Sequence, residues 1–249
     1  MTTDETLAVN ELYDRLTVQG EGPSLGRVCT FIRLARCNLD CGEGDGATWA
    51  CDTPFTWRWE GIYTNDRPTF NQAAEVHTMP VVRVLAHVLA LRPPLVVISG
   101  GEPMLQRRGL TALVHGLWEM GSDVEIETNG TQAPWDGLAG MVNFNVSPKL
   151  SNSGIPHETA WRGEALAALH ATGAARFKFV CSDADDLAEV DELTRMVGIA
   201  PGRVWIMPAG TSRVAIRQSL AKIAEQAIER RYNVTTRLHI ELFGARRGV

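Results

Sequence analysis

The sequence predicts an α/β fold in which a mostly parallel sheet carries helices on its outside. Short apolar runs alternate with helical periods along the chain, and the polar residues collect just after the apolar runs. Alternation of that kind makes strand–helix–strand units, whose crossovers lay neighbouring strands parallel. The 249 residues, 45% of them hydrophobic, suffice for one core, so residues 1–249 are expected to form a single domain.

Taken in order, the runs at 28–34, 95–99, 124–127, 141–146, 176–180, 204–207 and 236–242 read as strands. They are short and rich in Val, Ile and Phe, as strands covered on both faces are. Helical periods cover 80–91, 105–120, 161–172, 185–197 and 215–231. In the first of these, Val81, Val84, Leu85, Val88 and Leu89 fall on one helical face. Residues 42–66 hold Trp49, Trp57 and Trp59 among glycines and charges, without a period. That stretch is expected to be a long loop over the active face, since long loops inside compact domains are usually functional. No internal repeat or low-complexity tract interrupts the pattern.

Each strand is followed by a polar cluster. Ala35 to Cys41 follows the first, Gly100-Gly101-Glu102-Pro103 the second, Thr128-Asn129-Gly130 the third and Ser147-Pro148-Lys149 the fourth. Ser182-Asp183 and Pro208-Ala209-Gly210 follow the next two. Ligands bind at the carboxyl ends of parallel strands in barrels and in doubly wound sheets alike. One face therefore gathers the chemistry, and alternation alone does not choose between the two architectures.

Composition narrows the partners. Lysine and arginine number 24 against 29 acidic residues, a net charge of −5. A nucleic-acid or acidic-membrane surface would need a basic excess, so neither partner is expected. The start, MTTDETLAVNELYD, is acidic and lacks an apolar signal core. No apolar run nears the ~20 residues that cross a bilayer. The expected location is the cytoplasm, where disulfides are rare.

Five cysteines are present, and Cys37, Cys41 and Cys51 fall within fifteen residues of one another. Three thiolates on one loop can hold three irons of a [4Fe–4S] cube and leave the fourth iron open for a chelating small molecule, whereas an electron carrier normally supplies four cysteines. The same spacing also suits a zinc site completed by a histidine or aspartate, or merely buried thiols. Cys29 and Cys181 read as packing thiols. In the Gly-Gly-Glu-Pro turn, two glycines allow close backbone approach, and Glu102 can meet an ammonium group. Thr17-Val18-Gln19-Gly20-Glu21-Gly22 reads as a glycine-rich loop, either a plain turn or one shaped around a polar heterocycle. Arg33, inside an apolar strand, is either a structural ion pair or a clamp for a ligand carboxylate, and Lys149 carries the same ambiguity. The histidines show no paired metal spacing; His239, placed in the last strand, is the one expected to face the site.

Together, Cys37-x3-Cys41, Cys51-Asp52-Thr53-Pro54, Trp57, Gly100-Gly101-Glu102-Pro103 and Glu127-Thr128-Asn129-Gly130-Thr131 resemble the radical S-adenosylmethionine enzymes. Val18-Gln19-Gly20-Glu21-Gly22, Phe31-Ile32-Arg33, Val146-Ser147-Pro148-Lys149 and Met207-Pro208 narrow the resemblance to the 7-carboxy-7-deazaguanine synthase family. It runs from about Glu11 to Gly244. The resemblance implies a partial (β/α)6-type barrel and a homodimer. It also implies a lyase of queuosine and 7-deazapurine biosynthesis. Such an enzyme converts 6-carboxy-5,6,7,8-tetrahydropterin to 7-carboxy-7-deazaguanine and ammonia, regenerating S-adenosylmethionine at each turnover. The implied cofactors are a [4Fe–4S] cluster, S-adenosylmethionine and Mg2+, with a flavodoxin-like or ferredoxin-like reductant. Because a cofactor radical does the chemistry, no side chain is expected to be catalytic.

Carried over by motif position, Cys37, Cys41 and Cys51 would bind the cluster and Thr53 the Mg2+. S-Adenosylmethionine would contact Cys51, Asp52, Gly101, Glu102, Ser147, Pro148, Lys149, Met207, Pro208, Ala209 and Gly210. The pterin would contact Val18, Gln19, Gly20, Ser99 and Arg33, the last facing its carboxylate. Three features depart from the family pattern. Nine residues instead of two separate Cys41 from Cys51, and this glycine-rich interval is expected to loop out. Ala209 stands where an acidic residue is often seen, and the tail after Leu242 has no match. The competing readings are a glycyl-radical activase on the same scaffold and a non-catalytic zinc module.

Overall fold

A computed structural model describes residues 5–63, 65–138 and 140–249. Its strands are β1 (Thr6–Leu12), β2 (Thr17–Val18), β3 (Val28–Leu34), β4 (His77–Pro80) and β5 (Leu95–Gly100). They continue with β6 (Asp123–Thr128), β7 (Asn143–Val146), β8 (Ala175–Cys181), β9 (Val204–Pro208) and β10 (Asn233–Val234). The helices are α1 (Gln72–Glu75), α2 (Val81–Leu91), α3 (Arg107–Glu119) and α4 (His157–Ala160). After them come α5 (Gly163–Ala171), α6 (Ala184–Val197), α7 (Arg213–Glu229) and α8 (Leu238–Phe243).

The sheet runs β10-β9-β8-β7-β6-β5-β3-β1-β4, with β2 added on β3. From β3 to β10 every neighbouring pair is parallel, whereas β1 runs antiparallel to both β3 and β4. Among the described residues β10 and β4 do not pair, so the barrel stays open. Helices α2, α3, α6 and α7 form the outer layer in the order the sequence predicts. None of the helices described is long and apolar enough to cross a membrane.

Strand periodicity of two splits the sheet into an apolar face and a polar one. Ile32 and Leu34, Val96 and Ile98, Val124 and Ile126, Phe177 and Phe179, and Val204 and Ile206 all point outward into one helix-covered core. Each such side chain contributes about 1.5–3 kcal/mol by leaving water. The helices answer with matching stripes: Leu110, Leu113, Val114 and Leu117 on α3, and Leu187, Val190 and Leu193 on α6. Helix α6 is held at its start by an Asp183–Asp186 capping box and ends at Gly198, whose φ is +82°. The intervening strand residues, Ser99, Glu125, Glu127, Asn145 and Lys178, belong to the opposite, inner face.

Two sequence expectations are corrected here. The stretch 236–242 is not a strand: it contains α8, while the last strand is the two-residue β10 just before it. His239 is therefore helical. The alternation of Leu238, Ile240 and Leu242 imitates a strand, but in the helix only Ile240 is buried and Leu242 is half exposed. Strands β1 and β4 were not anticipated, although Leu7 and Val9 alternate with more exposed Thr6 and Ala8.

Candidate active site

The cysteine loop begins where β3 ends. Arg36 adopts a left-handed φ of +77°, and its N–H donates to the Thr56 carbonyl at 2.7 Å, turning the chain across the carboxyl ends of the strands. Cys51 then returns to donate its N–H to the Cys41 carbonyl at 3.3 Å, closing residues 42–50 into a loop of their own. The looped interval is also tied down at its base. Its Gly42 N–H donates to Ser153 O at 2.8 Å and its Thr48 N–H to Asn152 O at 2.9 Å, while Trp49 Nε1 donates to Asn152 Oδ1 at 2.8 Å. The glycines serve packing: a Cβ on Gly44 would overlap the Gly154 carbonyl.

All three thiols are free, and they share a pocket packed against Leu39, Ile155 and Ala160. N–H groups aim at the sulfurs: Leu39 N lies 3.5 Å from Cys37 Sγ and Trp57 Nε1 lies 3.4 Å from Cys51 Sγ. Burial pushes Cys37 and Cys41 up to about 12, and the charge of the neighbouring thiolates pushes the same way. Desolvated thiols that repel one another as thiolates, with amide and indole donors turned toward them, fit a cationic iron–sulfur group. Among the described residues no three His, Cys, Asp or Glu side chains converge on a single ion.

The Gly-Gly-Glu turn is built against the chain that follows β3. Gly100 has φ of +146°, and a Cβ there would overlap the Leu34 carbonyl; one on Gly101 would overlap that of Arg36. The close approach is thus to the chain after β3, where Gly101 N donates to Leu34 O at 3.1 Å and Glu102 N to Arg36 O at 2.8 Å. The Glu102 carboxylate is sealed from solvent. It accepts from Asn129 N at 2.7 Å, Thr128 Oγ1 at 2.9 Å and Met104 N at 3.0 Å, pinning the β5 turn to the β6 turn. Burial raises its pKa despite these donors.

The other turns meet the same face. Lys149 Nζ folds back onto Ser147 O at 2.7 Å and Ser147 Oγ at 3.1 Å, and its charge acts on Cys41 and Cys37. Thr53 Oγ1 donates to Gly100 O at 3.4 Å. Asp52 pairs with Arg237, which also donates from Nη1 to Gly210 O at 2.7 Å. Met207, Pro208 and Ala209 lie buried at the end of β9.

Below these turns the inner face of the sheet carries a charged network. Glu21 accepts from Lys178 Nζ at 2.5 Å and Arg237 Nε at 2.9 Å. Burial would raise the Glu21 carboxyl, but these two cations hold it well below the usual carboxylate range. Gln19 Nε2 bridges Glu125 at 2.7 Å and Glu127 at 3.1 Å, and Ser99 Oγ donates to Glu127 at 2.6 Å. The Asn145 Oδ1 atom is buried there without a partner. Planar amide and carboxylate edges with an unspent polar atom are the groups that recognise a flat polar heterocycle.

The 7-carboxy-7-deazaguanine synthase of Pyrobaculum aerophilum is 37% identical to the chain over 253 residues, covering 100% of both. That of Hyperthermus butylicus is 35% identical over 232 residues, covering 90% of this chain and 88% of its own. The chain belongs to the 7-carboxy-7-deazaguanine synthase family. A third relative of that name, from Rhodopirellula baltica, is 32% identical over 99% of this chain and 90% of its own. The crystal structure of QueE from Escherichia coli matches the fold with a TM-score of 0.68 at 24% identity, over 94% of this chain and 95% of that one. No family model matches.

Within this synthase family chain, the residues singled out by sequence divide into three groups. Cys37, Cys41, Cys51, Asp52, Thr53, Gly101, Ser147, Pro148 and Lys149 meet at the carboxyl ends of the strands. Gln19, Gly20, Ser99 and Arg33 lie toward the inner face: Gly20 packs so tightly on the His239 ring that a Cβ would overlap it, and Arg33 Nε pairs with Glu11 at 2.9 Å. Val18 does not join them, because it pairs with Val28 at the opposite end of β3 from Arg33. Sequence reasoning passed over Glu125, Lys178 and Arg237. The signal for the first two was present, as charges at every second position of apolar strands, in Asp123-Val-Glu125-Ile-Glu127 and Arg176-Phe-Lys178-Phe.

Proposed function

We propose that the chain converts 6-carboxy-5,6,7,8-tetrahydropterin to 7-carboxy-7-deazaguanine with loss of ammonia, as a radical S-adenosylmethionine lyase of 7-deazapurine biosynthesis. The observation that carries this reading is the stacking of two sites at the open mouth of the barrel. Three thiols lie at the strand ends, and amide and carboxylate side chains of the inner face lie beneath them. When bound, the cluster and S-adenosylmethionine supply the hydrogen-abstracting radical. Cys37, Cys41 and Cys51 hold the cluster, while the Gly101 backbone, Asp52, Ser147, Pro148, Lys149 and the turn from Met207 to Gly210 take the cofactor. Glu102 acts at one remove, fixing the Gly101 backbone through its bonds to the β6 turn.

Beneath them, Gln19, Gly20, Ser99 and Glu127 orient the pterin by its polar edge, and Glu127 is still a fifth exposed at 21%. Thr53 takes Mg2+ together with substrate oxygens. The homodimer, the flavodoxin-like or ferredoxin-like reductant and the cytoplasmic location complete the reading on the family resemblance alone. Anaerobic turnover tests it. Carboxytetrahydropterin should be consumed without stoichiometric loss of S-adenosylmethionine, whereas 5′-deoxyadenosine accumulating in step with product refutes the regenerating reaction. A colourless protein that loads zinc and not four irons refutes the cluster.

Arg33 spends Nε on Glu11 and Nη2 on Tyr13 at 3.3 Å, and its Nη1 has no partner among the described residues. That end of the guanidinium is available to the pterin carboxylate. Arg33→Ala should therefore weaken apparent substrate affinity by about 1.5–3 kcal/mol, the worth of one charge-assisted hydrogen bond. The turnover number should change far less. An unchanged KM leaves Arg33 as a structural partner of Glu11 only.

A further inference from the structure

Arg58 heads the fully buried side chains by size, at 2% exposed, and the reaction described makes no use of it. All five of its N–H donors are committed. Nε donates to Glu43 Oε1 at 2.9 Å and Nη2 to Glu43 Oε2 at 3.3 Å, with Asn65 Oδ1 as a second acceptor for Nη2. Nη1 donates to the Arg67 and Pro68 carbonyls at 2.9 and 3.0 Å. Asn65 Nδ2 closes the ring by donating to Glu43 Oε2 at 2.6 Å, and Arg67 donates to the Gly42 carbonyl. Buried arginine persists only where its planar fork is satisfied, and here the fork is filled completely.

Glu43 is the second residue of the nine that separate Cys41 from Cys51. The interval is consequently gripped on two sides. The arginine hub takes one side, and Asn152, whose own Nδ2 donates to Val180 O at 2.9 Å, takes the other. A second route leads from the hub to the sulfur. The Arg58 guanidinium lies 4.6 Å over the Tyr63 ring, Tyr63 meets Trp57 edge-on at 5.5 Å, and Trp57 donates to Cys51 Sγ.

We propose that Arg58 is the positioning residue for the third cluster thiol, holding Glu43 so that the nine-residue interval closes and Cys51 returns beside Cys41. Closing such an interval costs conformational entropy that its glycines increase, and the hub offsets that cost. A two-residue interval would need no such anchor. Arg58 has this role only if the three thiols hold the proposed cluster.

The test uses full-length Arg58→Gln, Arg58→Lys and Glu43→Gln proteins. Hydrogen exchange over residues 42–51 is read on the metal-free protein, and chelator stripping of iron on the reconstituted one, each beside the global melting temperature. Glu43→Gln keeps the shape of the hub but removes its negative charge. It should speed both exchange and stripping by about tenfold, more than the accompanying fall in melting temperature accounts for, in the range seen for residues that orient metal ligands. Arg58→Gln should do so more strongly. Arg58→Lys, which keeps the charge without the fork, should fall between wild type and Arg58→Gln. Wild-type exchange and stripping in all three variants would overturn the assignment, as would stripping that rises only in step with a lower melting temperature. A wild-type protein that takes up no iron would overturn the cluster reading and this role together, whereas normal loading with unaffected variants overturns the role of Arg58 alone.

Discussion

Lys178→Met is expected to cost about 1.5–3 kcal/mol of stability at pH 7, the worth of a buried charge-assisted hydrogen bond, since Glu21 keeps its bond from Arg237. The lysine is 6% exposed and the Glu21 side chain 14%, with 2.5 Å between Nζ and Oε2. Burial alone would lower the lysine's pKa, yet Glu21 and Glu127 raise it, while the same pairing depresses Glu21. The signs then fix the pH window. A depressed carboxyl lends stability above its unfolded pKa, about 4.3, and loses it as pH falls through the folded value. A raised lysine lends stability below about 10.4 and loses it as pH rises through its folded value. Wild-type stability contributed by the pair should be level between those limits.

In the variant Glu21 keeps only Arg237, so its carboxyl titrates at a higher pH than in the wild type. Urea unfolding at pH 7 and pH 4 measures the difference, which should shrink at the lower pH as Glu21 takes up a proton. The same variant should raise the KM for the pterin, because the Gln19-Gly20-Glu21 loop is tied across the inner face through this pair. A loss under about 1 kcal/mol at pH 7 would mean that the pair is no better than a surface ion pair.

How much of this was legible in the sequence follows from which signals are local. Strands β3, β5, β6, β7, β8 and β9 announce themselves because each is covered on its outer face by a helix and carries a dense β-branched or aromatic run. Strand β1 does not, since its partners β3 and β4 lie far along the chain and half of its residues are polar. The motif residues at the strand ends were legible because turns cluster polar side chains in sequence. The inner-face network was not, because Glu21, Lys178 and Arg237 are separated by some of the longest spans in the chain and meet only when the sheet curls. Glu102 shows the limit from the other side: the motif singles the residue out, but its bond from the Asn129 N–H, which ties two strand-end turns together, could not be read from the sequence. The glycines of the Gly100-Gly101 turn likewise answer to the Leu34 and Arg36 carbonyls.

Cys51→Ala is expected to remove the four-iron cluster and reduce turnover to background, whereas Cys29→Ala and Cys181→Ala should keep both. The contrast matters because the long interval before Cys51 leaves room to assign the third corner elsewhere, and only two other thiols exist. Neither can serve. Cys29 is sealed at the start of β3 against Leu95 and Val97, at the strand end remote from the cysteine loop. Cys181 packs in the outer apolar layer with Phe179 and Leu187, on the side of the sheet that the helices cover. Each loses only a packed sulfur on truncation, a cost of roughly 0.5–3 kcal/mol typical of single substitutions. Cys51 instead sits beside Cys41 with the Trp57 indole aimed at its sulfur and Thr53 Oγ1 at 3.6 Å. Iron analysis and the electron paramagnetic resonance of the reduced proteins separate the cases. A full four-iron count in Cys51→Ala, or its loss in Cys181→Ala without unfolding, would move the third corner to another residue.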